Sequence, residues 1–279
     1  MALPGDKASR TQEYELGHTD WELKRLANQA LVMEPITRRH FQDAGIEAGM
    51  RVLDVGSGAG DVAFLAAELV TTSGEVVGAD RSQTAVTTAR ERARQQRLDS
   101  VSFRVGDPTA LKFDKSFDAV VGRFVLMYSP DPAAMLKGLA RLLRPGGVIV
   151  FHEGSLAGVK SFPPAPIYDR CWAMIAETWR RVGTNPNMGL ELYAAFLRAG
   201  LPTPKMGLQS VIGAASGPHN RIEMVADLVV TMAPVMEQHG VATIAEIDPD
   251  TLSRRMLAEA AANGSVLIGP YQIGVWTRV

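Results

Sequence analysis

Short apolar runs that end in glycine or acid alternate along this chain with longer segments of helical period. The runs at 51–55, 75–80, 101–105, 117–123 and 148–153 predict buried strands, and the segments at 61–70, 83–97 and 132–143 predict helices. Strand and helix in turn predict a doubly wound α/β fold, a mostly parallel sheet with helices on both faces. Upstream, Leu23, Leu26, Ala27, Ala30 and Leu31 recur at helical spacing from Asp20, and Pro35 is expected to end or kink that helix before a second one over 36–44. Past Glu153 the pattern changes. Pro163, Pro164 and Pro166 predict a loop over 155–167, followed by helices over about 168–182 and 190–198. Strands are expected at 205–214 and 271–279, with helices near 221–238 and 249–262 between them. The expected organisation is an N-terminal helical segment, 1–45, and a main domain, 46–279, with insertions at about 155–188 and 217–262. The insertions and the N-terminal segment are read together as a helical cap.

Composition narrows the picture. At 279 residues and 46% hydrophobic, the chain can bury one large core. A net charge of -1 argues against a polyanionic partner, because neutralising phosphates needs a basic surface. Arg90, Arg92, Arg94 and Arg97 cluster on one predicted helix, where a solvated face is the plainer reading. The lone Cys171 suits a reducing cytoplasm and a packed thiol. The N-terminus lacks the pattern of a signal peptide, and no apolar run reaches membrane-spanning length.

The densest signal is Val52-Leu53-Asp54-Val55-Gly56-Ser57-Gly58-Ala59-Gly60-Asp61, a strand that runs into a glycine turn and then a helix. Gly56, Gly58 and Gly60 let a ligand lie against bare backbone beside a helix N-terminus. A dinucleotide fingerprint would carry its third glycine where Asp61 stands. Asp54 and Asp61 bracket the turn with negative charge, which suits a ligand carrying an ammonium and a sulfonium rather than phosphates. Val76-Val77-Gly78-Ala79-Asp80 then puts a second acid at a strand end, placed to accept both hydroxyls of a ribose.

Together with Phe103-Arg104-Val105-Gly106-Asp107-Pro108, Phe117-Asp118-Ala119-Val120-Val121-Gly122-Arg123 and Leu143-Arg144-Pro145-Gly146-Gly147, these motifs resemble the class I S-adenosylmethionine-dependent methyltransferases of small-molecule type. The likeness is strongest over 14–155. It implies a Rossmann-like sheet whose last strand runs antiparallel, with S-adenosylmethionine as cofactor and no metal. It implies that Asp54, Gly56, Ser57 and Gly58 cradle the cofactor. Asp80 would hold the ribose, Arg81 lie along the adenine, and Asp107, between Gly106 and Pro108, accept from the adenine amino group. Tyr14 would fold over the cofactor, as an aromatic of this segment does in similar enzymes.

Methyl transfer from a sulfonium is a displacement whose activation the cofactor brings, so the protein mainly aligns the reactants. His152 and Glu153 end the fifth strand. As neighbours they should face opposite sides, so at most one looks into the pocket. His152 has the better ordinary pKa for a base near neutrality; the resemblance favours Glu153. Arg123 either positions an anion or touches the cofactor through its backbone, the plainer reading. Tyr128 could orient a nucleophile or simply pack, and Gln29 could reach the cofactor's carboxylate. Tyr168, Trp172, Ile175 and Trp179 share one helical face, and Met224, Leu228, Met232 and Met236 another. Both read first as packing surfaces and second as the walls of a site for a small apolar or aromatic acceptor. Such cap surfaces can also pair two copies of a chain. The competing readings are methylation of a macromolecule, a cofactor-binding module without turnover, and a dinucleotide oxidoreductase. No Asn/Asp-Pro-Pro-aromatic run ends the fourth strand to support the first; Arg123-Phe124-Val125-Leu126 stands there.

Overall fold

Alternation of buried side chains is what splits the sheet into two cores. In β1 (Arg51–Val55), Val52 faces one side and Leu53 the other, and both are fully buried. The same alternation runs through β2 (Glu75–Asp80), β4 (Phe117–Arg123) and β5 (Leu143–Ser155), whereas β3 (Val101–Val105), at the sheet edge, alternates buried and exposed positions. The computed structural model describes residues 20–215 and 221–279, with side chains from Val32 onward except that of Arg221. One face is covered by α1 (Asp20–Ala44), α2 (Asp61–Val70) and α3 (Gln83–Gln95). The other is covered by α4 (Pro132–Ala140) and α6 (Met188–Arg198). Burial on both faces explains why these strands read as continuous apolar runs.

The strand order is β3-β2-β1-β4-β5-β8-β6, with β7 also paired to β8. β1 to β5 are parallel, and β8 (Val266–Arg278) runs antiparallel to β5, to β6 (Lys160–Phe162) and to β7 (Lys205–Ala214). The antiparallel last strand is as expected, but it starts at Val266 rather than 271. Pro270 does not stop it, because the pairing with β7 shifts register between Ser210 and Ile212, opposite that proline. No ladder N–H is needed at such a bulge.

Two other elements differ from expectation. α1 is one helix with Pro35 inside it, not two. Pro35 is exposed, so the carbonyl it frees can face water, and burial of Met33, Ile36, Thr37, His40 and Phe41 holds the turns on either side. Phe41 and Ala44 belong to the main core, so α1 is part of that core as well as of the N-terminal segment. The predicted loop over 155–167 contains β6, and a short helix, α8 (Ile244–Ile247), follows α7 (Arg221–Gln238) under a Thr243–Glu246 capping box.

α5 (Pro166–Arg181), α7, α8 and α9 (Pro249–Ala262) share a third core with Leu267 of β8. β5 continues beyond its pairing with the end of β4, so this core sits at the C-terminal edge of the strands. Tyr168 and Ile175 are fully buried there, with the Tyr168 hydroxyl donating to Ile268 O at 3.0 Å; the aromatic stripe is mainly packing. Met174, Met232, Met236 and Met256 fill the same core. Cys171 is buried within it, its pKa pushed up to about 12 by that burial. No helix among the described residues is long and apolar enough to cross a membrane.

Candidate cofactor and active site

The glycine turn leaves β1 at the C-terminal edge, where the parallel strands of a doubly wound sheet bind ligands. Gly56, Gly58 and Gly60 all take positive φ, 65°, 51° and 98°. They differ in what surrounds them. A Cβ at Gly60 would strike Phe64 and Phe103, so that glycine serves packing. A Cβ at Gly58 would meet nothing within 4 Å, so the turn presents bare main chain to open space. Ser57 is buried beside it, and its Oγ has no hydrogen-bond partner among the described residues.

Asp54 stands under this turn, fully buried, and neither carboxylate oxygen has a hydrogen-bond partner among the described residues. Burial is the main reason its pKa stands well above 3.8; Arg123 opposes the rise, while Asp80 and Asp61 add to it. An unpartnered buried carboxylate is costly unless something cationic completes it. Asp80 ends β2, with Oδ2 accepting the Gly58 N–H at 2.9 Å and Oδ1 the Ser82 N–H at 2.8 Å. Each oxygen keeps lone pairs for a further donor. Gly106, at φ 137°, donates its N–H to Asp80 O at 2.8 Å, and Pro108 is buried behind it. Arg81 and Asp107, expected around an adenine, pair directly through Nη2 and Oδ2 at 2.5 Å. Partial burial works to raise the Asp107 pKa, but the Thr109 and Arg81 donors outweigh it and hold the carboxyl below 3.8.

Asp61 is not the free charge the sequence suggested. Arg92 Nη2 donates to Asp61 Oδ1 at 2.7 Å, and Arg92 Nη1 to Ala59 O at 2.7 Å. Arg90 likewise binds Phe103 O through Nε and Nη2, at 3.2 and 2.7 Å. Arg90 and Arg92 therefore tie α3 to β3 and to the turn, while Arg90, Arg94 and Arg97 are exposed, as the expected solvated face requires.

Arg123 ends β4 on the same face as Asp54. Its pKa is lowered, first by burial, while the nearby charges of Asp61, Asp54 and Glu34 favour its cation. Yet its hydrogen bond goes to none of these acids but to Thr37 Oγ1 of α1, at 3.2 Å. A cavity of about 180 Å³ opens here, lined by Glu34, Asp61, Phe64, Arg92 and Arg123 among others.

His152 and Glu153 are both fully buried and face opposite sides, as strand alternation requires. His152 turns toward α1, with Nδ1 3.0 Å from Thr37 Oγ1 and Nε2 3.0 Å from Gln272 Oε1. Burial, then the charges of His40 and Arg123, keep its pKa well below 6.5, so the ring is neutral. With both nitrogens engaged, the ring has no free position to take a proton from a substrate. Glu153 turns the other way, its Oε1 accepting the Val125 and Leu126 N–H groups at 2.8 and 2.6 Å. Oε2 is buried without a partner among the described residues, and burial raises the pKa to about 7 against the pull of those amides. Tyr128, in the turn Leu126–Tyr128, is 40% exposed. Gln29 lies on α1 with its side chain outside the described residues, as is all of Tyr14.

Glu153 carries a measurable consequence. Its folded pKa is above the unfolded value, so folding takes up a proton between pH 4.5 and 7, and stability falls as pH rises through that window. The Glu153→Gln protein should lose that component. Its stability relative to wild type should improve by about 3 kcal/mol between pH 4 and pH 8 in urea titrations. A constant difference would place the carboxyl in solvent.

Thr37, His40 and Gln272 carry no motif, and sequence reasoning did not find them. The only available sign was Gly207 and Gly274 inside strands, where glycine marks a close approach.

Comparisons with known proteins agree with this geometry. A family model described as a methyltransferase domain matches residues 46–185, half of the chain. A demethylmenaquinone methyltransferase of Staphylococcus aureus (strain MRSA252) is 33% identical over 138 residues, 49% of this chain and 54% of that protein. The chain thus aligns with about half the length of such relatives. Among solved structures, a geranyl diphosphate methyltransferase in complex with S-adenosylmethionine is similar with a TM-score of 0.54 at 17% identity, over 92% of this chain and 88% of that one. The [4+2]-cyclase SpnF is similar with a TM-score of 0.52 at 20% identity, over 87% and 80%. These two likenesses speak for the fold alone, and the second shows that the fold also hosts other chemistry. With the family model over the glycine turn and all five parallel strands, the chain belongs to the class I S-adenosylmethionine-dependent methyltransferases.

Proposed function

We propose that this protein moves the methyl group of S-adenosylmethionine to a small, apolar, planar acceptor and releases S-adenosylhomocysteine. The observation that carries the reading is Asp54: a buried carboxylate whose oxygens are both unpartnered among the described residues, under a turn whose Gly58 opens onto free space. The residues present fit the cofactor. Gly56 to Gly58 offer main chain, Asp54 and Asp80 offer acceptors for its ammonium and ribose, and Arg123 offers donors to its carboxylate. The bound sulfonium supplies the activated methyl. The chain's own contribution is alignment, and a base where the acceptor must shed a proton. Glu153 suits that base best, since Oε2 is free and its pKa lies near neutrality.

The acceptor class rests on the cap. Its methionine-filled core can adapt to irregular apolar shapes, and relatives are named for demethylmenaquinone, a quinone. A net charge of -1 favours a small acceptor over a nucleic acid. The buried Cys171 thiol suits a reducing cytoplasm.

Calorimetry with S-adenosylmethionine and with NADH tests the cofactor, and release of S-adenosylhomocysteine with a reduced naphthoquinone tests turnover. Preference for NADH would end this reading; cofactor binding without product from any apolar acceptor would leave a binding module. Asp80→Ala should weaken cofactor binding by about 1.5–3 kcal/mol, the scale of hydrogen bonds to a charged group. Undiminished affinity would remove Asp80 from the ribose.

A further inference from the structure

Arg123 is the cation whose charge bears on Asp54, and among the described residues its guanidinium makes one hydrogen bond and lies 6.0 Å from the Phe124 ring centroid. Five N–H donors point from a planar fork, and the hydrogen bond among the described residues goes to Thr37 Oγ1. Thr37 is fully buried on α1, and its hydroxyl is itself held by His152 Nδ1 of β5, whose Nε2 meets Gln272 of β8. The chain of contacts Gln272–His152–Thr37–Arg123 thus crosses four elements, buried at the first three and open to the cavity at Arg123.

Neutral His152 sets one ring nitrogen against the Thr37 hydroxyl and the other against Gln272 Oε1. The Thr37 hydroxyl donates to Met33 O at 2.9 Å, one turn back along α1, and its lone pairs are left to accept from Arg123 Nη1 at 3.2 Å and to face His152 Nδ1. Valine would fill the same space without burying a hydroxyl, so packing alone does not account for threonine here. The arrangement fixes one edge of the guanidinium and leaves the rest aimed into the cavity beside Asp61 and Glu34, with no carboxylate drawn into contact.

We propose that Thr37 is a positioning residue that sets Arg123 to receive the carboxylate of the cofactor's amino-acid end. This rests on the reading above, that the cofactor is S-adenosylmethionine. α1 thereby acts on the cofactor site through one hydroxyl: docking of the helix and grip on the amino-acid end rise and fall together.

The experiment compares two ligands by calorimetry. S-Adenosylhomocysteine carries the amino-acid end, and 5′-methylthioadenosine keeps the adenosyl part without it. In Thr37→Val, affinity for the first should fall about tenfold while affinity for the second stays at the wild-type value, and Thr37→Ser should restore the first. Arg123→Gln should give the same selective loss, which keeps the question answerable if the valine protein does not fold. Equal losses for both ligands, or none for S-adenosylhomocysteine, would overturn the proposal. Failure of the wild-type protein to bind either ligand would instead overturn the cofactor reading.

Discussion

Replacing Asp54 with asparagine should cut affinity for S-adenosylmethionine by roughly 10- to 100-fold while leaving the melting temperature of the free protein no lower than wild type. The two halves have one cause. In the free protein the carboxyl is fully buried without a hydrogen bond among the described residues, and its pKa is raised well above 3.8, chiefly by that burial. An amide of the same shape removes a group the fold gains nothing from ionising, so stability does not suffer. A cationic ligand reverses the balance. The ionised form then has a partner, and a hydrogen bond to a charged group contributes about 1.5–3 kcal/mol, which is the affinity the variant forgoes. The same reasoning makes binding linked to pH. A carboxyl whose pKa is raised when free and falls when a cation binds releases protons on binding at pH values between the two, so wild-type affinity should rise with pH through that range, and binding heats should differ there between buffers of unlike ionisation enthalpy. In Asp54→Asn that buffer dependence should vanish. A variant that binds as tightly as wild type, or that melts several degrees lower, would show that Asp54 serves the fold and not the ligand.

The strand cores, the glycine turn and the acids at 54, 80 and 107 were legible because each is written locally. Apolar runs bounded by glycine or acid fix β1 to β5, and the turn's chemistry follows from residues within ten positions of one another. What was not legible depends on register. Nothing near His152 says that its side chain meets Thr37, since that contact needs β5 to lie beside α1 with 115 residues of chain between the partners. The arginines of α3 do form an exposed face, but nothing local says that Arg90 also reaches Phe103 O and Arg92 reaches Asp61. Pro35 misled in the opposite direction: it is a local stop signal that tertiary structure overrides on an exposed helix face. The expected start of the last strand at 271 was late because β8 runs through Pro270 at a bulge. The pairing of Arg81 with Asp107 was hidden too, because the resemblance assigned each residue to a ligand and not to the other.

The least legible feature carries the second large effect: a seat of two glycines for His40. Gly207 and Gly274 face each other across β7 and β8, and Gly274 also pairs with His152 on β5. His40 lies against this flat patch, fully buried, with its ring 5.1 Å from that of His152. A Cβ at Gly274 would fall 2.3 Å from His40 Cγ and 2.5 Å from Nδ1. Gly274 does not take the positive φ that favours glycine, so alanine there is a steric test and not a test of backbone strain. The ring cannot turn away from a contact at its own Cγ, so α1 must lift or β8 must bow. Overpacking of this kind should destabilise Gly274→Ala by on the order of 3 kcal/mol, and lower its melting temperature by about 6–12 °C. His40 and Thr37 stand one helical turn apart, so a lifted α1 should also loosen Thr37 from Arg123 and weaken binding of S-adenosylhomocysteine. The decisive comparison is the pair with His40→Ala. Removing the imidazole opens space for the new methyl, so Gly274→Ala/His40→Ala should melt above Gly274→Ala alone, although His40→Ala by itself should cost stability. If the double variant instead shows the sum of the two losses, His40 does not rest on Gly274, and α1 is docked by its other buried residues.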